Sequence, residues 1–175
     1  AIAALILGMG MPTVAVYILL SLLLAPALEA LAVPKLAAHL YIMYWGMLSA
    51  ITPPVCLAAF AGAAIAGADS MRTGYSAMRI GILVYIVPFL FVLGPSLLLI
   101  GTPMDIAISI VTALAGSFLV GIAAVGYLFR NLGAVIRLLI ALAGLGLLIP
   151  LHSTGDIGTV AIYSNIIGLV LAVVL

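Results

Sequence analysis

Apolar residues run through this chain with little alternation. The polar residues and prolines fall at a few points, cutting it into segments near the thickness of a bilayer. A helix needs about 20 apolar residues to span the hydrocarbon core. Runs of that order cover 1–33, 36–68, 78–100, 104–129, 132–150 and 157–175. Three of them carry breakers: Gly8-Met9-Gly10-Met11-Pro12-Thr13 in the first, Thr52-Pro53-Pro54 in the second, and Pro88 with Gly94-Pro95 in the third. The apolar/polar alternation of an outer-membrane barrel is missing. The pattern predicts an all-α integral membrane protein, a polytopic helix bundle.

The breakers refine that picture. Pro53 and Pro54 remove two amide donors and clash with the preceding turn, so the helix of 36–68 must break beside them. Carbonyls freed at membrane depth are tolerated only where they face protein or line a water-filled site. The first run fits a re-entrant hairpin better than one tilted span. Ala1 to Leu7 descends, the glycines turn, and Thr13 to Leu31 returns. Glycine permits the tight turn, and Pro12 suits a first helical position, whose N–H would be unpaired anyway.

Composition agrees with the pattern and narrows the function. Hydrophobic residues make up 68% of the chain and charged residues 5%, against roughly a quarter charged in a soluble domain. Five basic residues in a membrane chain leave no basis for nucleic-acid binding. Cys56 stands alone, with no metal-ligand spacing and no internal disulfide partner. There is no Gly-x-Ser-x-Gly, His-Glu-x-x-His or phosphate loop, so an enzyme is not expected and no cofactor is called for. A chain that opens on Ala1 inside an apolar segment, without a basic leader, reads as a piece of a longer protein.

The few charges orient the spans. Arg72 and Arg79 lie between the second and third runs, Arg130 and Arg137 between the fourth and fifth. Two intervening spans put both pairs on one side, which the positive-inside rule makes cytoplasmic. Lys35, the 101–103 turn and the 151–156 loop then face outward. A hairpin in the first run agrees with that count.

The candidate chemistry sits at the two breaks. Thr13 follows the glycine turn; Ser49 and Thr52 precede the proline pair and share a helix face. Sodium is a hard cation that takes hydroxyl oxygens and the carbonyls of unwound backbone. The competing reading is that each hydroxyl bonds only the carbonyl one turn back. Asp69-Ser70 reads as a helix N-cap, and Arg72 and Arg79 as headgroup-seeking side chains. His39, His152 and Asp156 lie near the outer surface and need no proton relay there, and Glu29 reads as a surface charge. Trp45 lies too deep for an interfacial belt and is expected to pack near the break.

Leu7-Gly8-Met9-Gly10-Met11-Pro12-Thr13, Val33-Pro34, Ala38-His39-Leu40 and Leu48 to Val55 around Thr52-Pro53-Pro54 occur in one order. With Ala66-Gly67-Ala68-Asp69, the 72–79 segment and Val87-Pro88-Phe89, that order resembles the second half of the large membrane subunit of tripartite ATP-independent periplasmic (TRAP) transporters, in its fused-permease branch. The resemblance covers about residues 1–100. It implies one half of an elevator-type, sodium-coupled importer of small organic acids in the bacterial inner membrane, multi-pass, fed by a periplasmic solute-binding protein and completed by the rest of the permease. On it, residues 1–100 are a transport-domain portion (hairpin 1–33, broken helix 36–68, helix 78–100) and 101–175 a three-helix C-terminal extension. Gly8, Gly10, Thr13, Thr52, Pro53 and Pro54 are carried over as site positions beside Ser49, with Na+ at Thr13 and Thr52. Pro12, Trp45 and Ser49 depart from the commoner Asp, Asn and Gly, which leaves H+ as the alternative coupling ion. The alternatives are a non-transporting membrane scaffold and an anion transporter that works without a binding protein.

Overall fold

The computed structural model describes residues 1–128, 131–149 and 165. Among them the regular structure is helical, apart from one isolated bridge between Tyr127 and Asn131. The chain divides into two compact units, one of Ala1–Val92 and one beginning at Leu93.

The first unit opens with two helices, Ile2–Gly8 (α1) and Thr13–Ala30 (α2), joined by a turn at 9–12. Gly10 holds that turn at φ +77, the left-handed region that a side chain would strain. Pro12 is the N-cap of α2 rather than its first helical residue, and its carbonyl accepts from Val16 N–H at 3.0 Å. A four-residue link leads to Lys35–Leu48 (α3), which packs against both α1 and α2. The core of this trio is Ala4 from α1, Val16, Leu20 and Ala25 from α2, and Ile42, Trp45 and Leu48 from α3. Gly46 lets the helices approach closely, since a methyl there would meet Val16 and Leu20.

Helix α3 stops at Leu48 and Leu57–Ala66 (α4) begins after eight intervening residues. The unwinding therefore starts well before the prolines. Ser49 N–H reaches back to Gly46 and Ile51 N–H to Leu48, the i→i+3 pattern of a tightening last turn. Gly67, left-handed at φ +62, ends α4. Asp69 then caps Ser70–Ile80 (α5), its carboxylate accepting from Arg72 N–H at 2.7 Å, as the Asp69-Ser70 pair predicted. The 78–100 run is not one helix. At Gly81 the chain bends by 43° into Ile82–Leu93 (α6), and a single 3-10 turn follows at Pro95–Leu98.

In the second unit Pro103–Val125 (α7) and Ala134–Leu148 (α8) form a close pair. Gly116 and Gly144 face each other so tightly that a methyl on either would lie 2.8–2.9 Å from the other's carbonyl oxygen. Ser96 and Ser109 are hydrogen-bonded at 2.7 Å and both buried. Arg137 turns inward to donate from Nε to Ala123 O at 3.0 Å and from Nη2 to Ala124 O at 3.2 Å, closing the C-terminal end of α7. The expected last span of 157–175 apart from Asn165, the 151–156 loop with His152 and Asp156, and Arg130 lie outside the described residues.

Among the described residues two helices, α2 and α7, are long and apolar enough to cross a membrane, and α5 with α6 adds a third if the bent pair counts as one span. Helices α3 and α4, at 14 and 10 residues, are each too short alone.

Candidate functional site

The two breaks predicted from glycine and proline meet in the folded chain. Gly8 is the last residue of α1 and Ser49 the C-cap of α3, 41 positions apart. The Ser49 hydroxyl donates to Gly8 O at 2.8 Å and to Gly46 O at 2.6 Å. One proton is thus shared by two carbonyls, and both oxygen lone pairs of Ser49 stay available. Gly8 is required for this approach, because a Cβ there would sit 3.0 Å from both Gly46 O and Ser49 Oγ.

Thr52 lies in the unwound segment, 8% exposed. Its hydroxyl donates to Leu48 O at 2.6 Å, the back-bond to the preceding turn. With its proton used there, it accepts from Tyr85 O–H of α6 at 2.7 Å. Tyr85 was not among the expected site residues. Its only sequence signal is a lone phenol inside the otherwise apolar 82–93 segment.

Pro53 and Pro54 carry the segment away from α3. Helix α5 covers that stretch with Gly74, where a methyl would lie 2.6 Å from Cys56 Sγ and 3.1 Å from Pro53 Cγ. Backbone bonds resume when Ala58 N–H donates to Ala50 O at 3.0 Å. The carbonyls of Ser49, Ile51 and Pro53 through Val55 accept no hydrogen bond among the described residues, nor do those of Met9, Gly10 and Met11 at the hairpin turn. Free carbonyl oxygens at two neighbouring breaks are the ligand type a hard cation takes.

Two predicted members sit apart. Thr13 opens α2 with an exposed side chain, and no hydrogen bond joins it to Ser49 or Thr52. Gly10 is exposed at the turn, with open space where a Cβ would go. The structure therefore brings together Gly8, Ser49 and Thr52 with the prolines, and leaves Thr13 and Gly10 at the rim.

Trp45 packs one turn before the break, edge-on to Tyr85 and Phe89 at ring separations of 5.9 and 5.6 Å, with Tyr41 tilted beside it. Its indole N–H is buried and finds no acceptor atom among the described residues. An N–H donor cannot ligate a cation, so Trp45 acts here through packing. Among the described residues no group of three His, Cys, Asp or Glu could hold a metal ion, which leaves hydroxyl and carbonyl oxygens as the available ligands.

Paired breaks closed on one another inside an all-helical, strongly apolar chain define the class: a helical membrane transport protein. The family model described as "Tripartite ATP-independent periplasmic transporter, DctM component" matches residues 1–106, and the chain belongs to that family. It is a family of transporters rather than of enzymes, and the chain is a TRAP transporter permease component in a membrane. No curated protein and no solved structure matches the chain.

Proposed function

We propose that residues 1–100 form one half of the transport site of a sodium-coupled importer of small organic acids, in which the α1–α2 turn and the α3–α4 break together bind the coupling ion. The observation that carries this reading is the Ser49 hydroxyl bond to Gly8 O at 2.8 Å, which holds two sets of free carbonyls side by side. A cation there would draw on Ser49 and Thr52 oxygens and on backbone carbonyls, with Thr13 recruited from the rim and H+ as the alternative ion. The substrate's carboxylate would be delivered by a periplasmic solute-binding protein, and the rest of the permease would close the site. The chain is then a multi-pass segment of a bacterial inner membrane, with the hairpin re-entrant and 101–175 a C-terminal extension.

One observation favours the rival reading of a packing scaffold: both hydroxyls donate to carbonyls one turn back. A single experiment separates the two. The full-length permease is reconstituted with its binding protein, and uptake of a panel of labelled organic acids is measured under an imposed sodium gradient. Thr52→Ala and Thr13→Ala should each raise the sodium concentration for half-maximal uptake without loss of protein. Losing one ligand costs on the order of 1–3 kcal/mol. A sodium dependence of uptake unchanged in both variants would leave only the packing reading of these hydroxyls, and absence of uptake under either a sodium or a proton gradient would leave the scaffold.

A further inference from the structure

A second polar cluster lies away from the breaks, between α2 and α3. Tyr17 O–H lies 3.0 Å from His39 Nδ1, and Glu29 Oε1 lies 3.8 Å from His39 Nε2. Tyr17 and Glu29 are twelve residues apart on α2, about 18 Å along an ideal helix. One imidazole thus ties two separated points of α2 to the start of α3. Glu29 is therefore paired, not the plain surface charge its position suggested.

The ring's two nitrogens have distinct jobs. In the neutral tautomer protonated on Nε2, Tyr17 O–H donates to Nδ1 and Nε2–H faces Glu29. With the ring charged, Nδ1–H donates to the phenol oxygen and Nε2–H faces the carboxylate as an ion pair. The Tyr17 link survives in both states; the Glu29 link strengthens only on protonation. Other titratable groups on the packed elements do not take these places. Helix α1 has no ionisable side chain. Helix α6 offers Tyr85, committed to Thr52. On α3, Lys35 is exposed one turn before His39, and Tyr41 and Tyr44 stand edge-on to Phe89 and Phe91.

We propose that Tyr17, His39 and Glu29 form a proton-binding site whose occupancy sets how firmly α2 is clamped to α3. Tyr17 lies four residues past Thr13, in the first turns of the helix that leaves the hairpin turn. Protonation therefore firms the helix on which the α1–α2 turn rests. The ion pair with Glu29 exists only with the ring charged, so the added clamping is present at low pH and lost as pH rises. The proposal does not depend on the sodium reading.

The test is amide hydrogen exchange of the full-length permease in sodium-free buffer, from pH 5 to 8, the interval in which an imidazole changes charge. Wild type and each variant are compared at every pH, so intrinsic exchange cancels. At pH 5, peptides covering 9–35 should be roughly two- to five-fold more protected in wild type than in Glu29→Gln, the worth of a partly exposed ion pair. The two should converge at pH 8. His39→Gln should lose protection at all pH values and abolish the pH dependence, and Tyr17→Phe should lower protection throughout yet keep it. A wild-type to Glu29→Gln difference that is absent, or constant with pH, would overturn the proposal. Glu29→Gln decides the matter even if His39→Gln fails to fold.

Discussion

Ser49 Oγ donates to Gly8 O across 2.8 Å, joining the end of α1 to the end of α3 through one buried side chain 3% exposed. Neither residue would form this contact in a regular pair of helices. Gly8 offers its carbonyl because α1 stops there, and Ser49 has room because α3 stops there. Each break gives the other a partner.

Replacing Ser49 by Ala removes the donor to both Gly8 and Gly46 carbonyls. The cost should be about 1–2 kcal/mol, because two buried acceptors lose the same proton. Gly46 O keeps its bond from Ser49 N–H and Gly8 O its bond from Met11 N–H, both at 3.4 Å, so what is lost is the tie between the hairpin and α3. Hydrogen exchange should quicken at Met9 to Met11 more than in α4.

Gly8→Ala and Gly10→Ala test two different reasons for glycine. At Gly8 the added methyl meets Gly46 O and Ser49 Oγ at 3.0 Å, and backbone must move. A destabilisation of about 1–3 kcal/mol is expected, the usual cost of overpacking. At Gly10 nothing is struck, and the cost is the left-handed φ alone, about 1–2 kcal/mol. Thermal unfolding in detergent should rank Gly8→Ala as the less stable. Ser49→Ala should relieve part of the Gly8→Ala defect, since it removes one of the two struck atoms.

Thr52 and Tyr85 should be energetically coupled. Thr52→Val and Tyr85→Phe each break the same 2.7 Å bond. A double-mutant cycle on unfolding should give a coupling of about 0.5–1.5 kcal/mol. Additivity would mean that the hydroxyls ignore each other.

Topology is open to labelling. In a Cys56→Ala background, cysteines at Arg72, Arg79 and Arg130 should react only from the cytoplasmic side, and one at Ser153 only from outside. A cysteine at Arg137 should react poorly, because that side chain is folded onto the end of α7 rather than reaching for headgroups.

Much of the fold was legible because its punctuation is strong. Gly10 and Pro12 mark the α1–α2 turn, and Asp69 caps α5. The paired prolines give away the α3–α4 break, though not that it starts at Ser49, since the last turn tightens before it unwinds. The 78–100 run hid the bend at Gly81, because hydropathy does not register a change of direction. Of the candidate positions read from the sequence, Gly8, Ser49 and Thr52 lie where the two breaks meet. The Thr52 partner Tyr85, the Arg137 cap on α7, and the tie of His39 to both Tyr17 and Glu29 depend on which helix faces pack. A single sequence does not encode that in its spacing.

The central claim is that the hairpin turn and the helix break are one cation site. Hydrogen exchange of the full-length permease with and without sodium, choline replacing it at constant ionic strength, tests it most directly. Peptides covering 8–13 and 49–56 should gain protection together, with the same half-saturating sodium concentration, and Thr52→Ala should shift both midpoints upward. Sodium-independent exchange in both segments, or a response in only one of them, would contradict the claim.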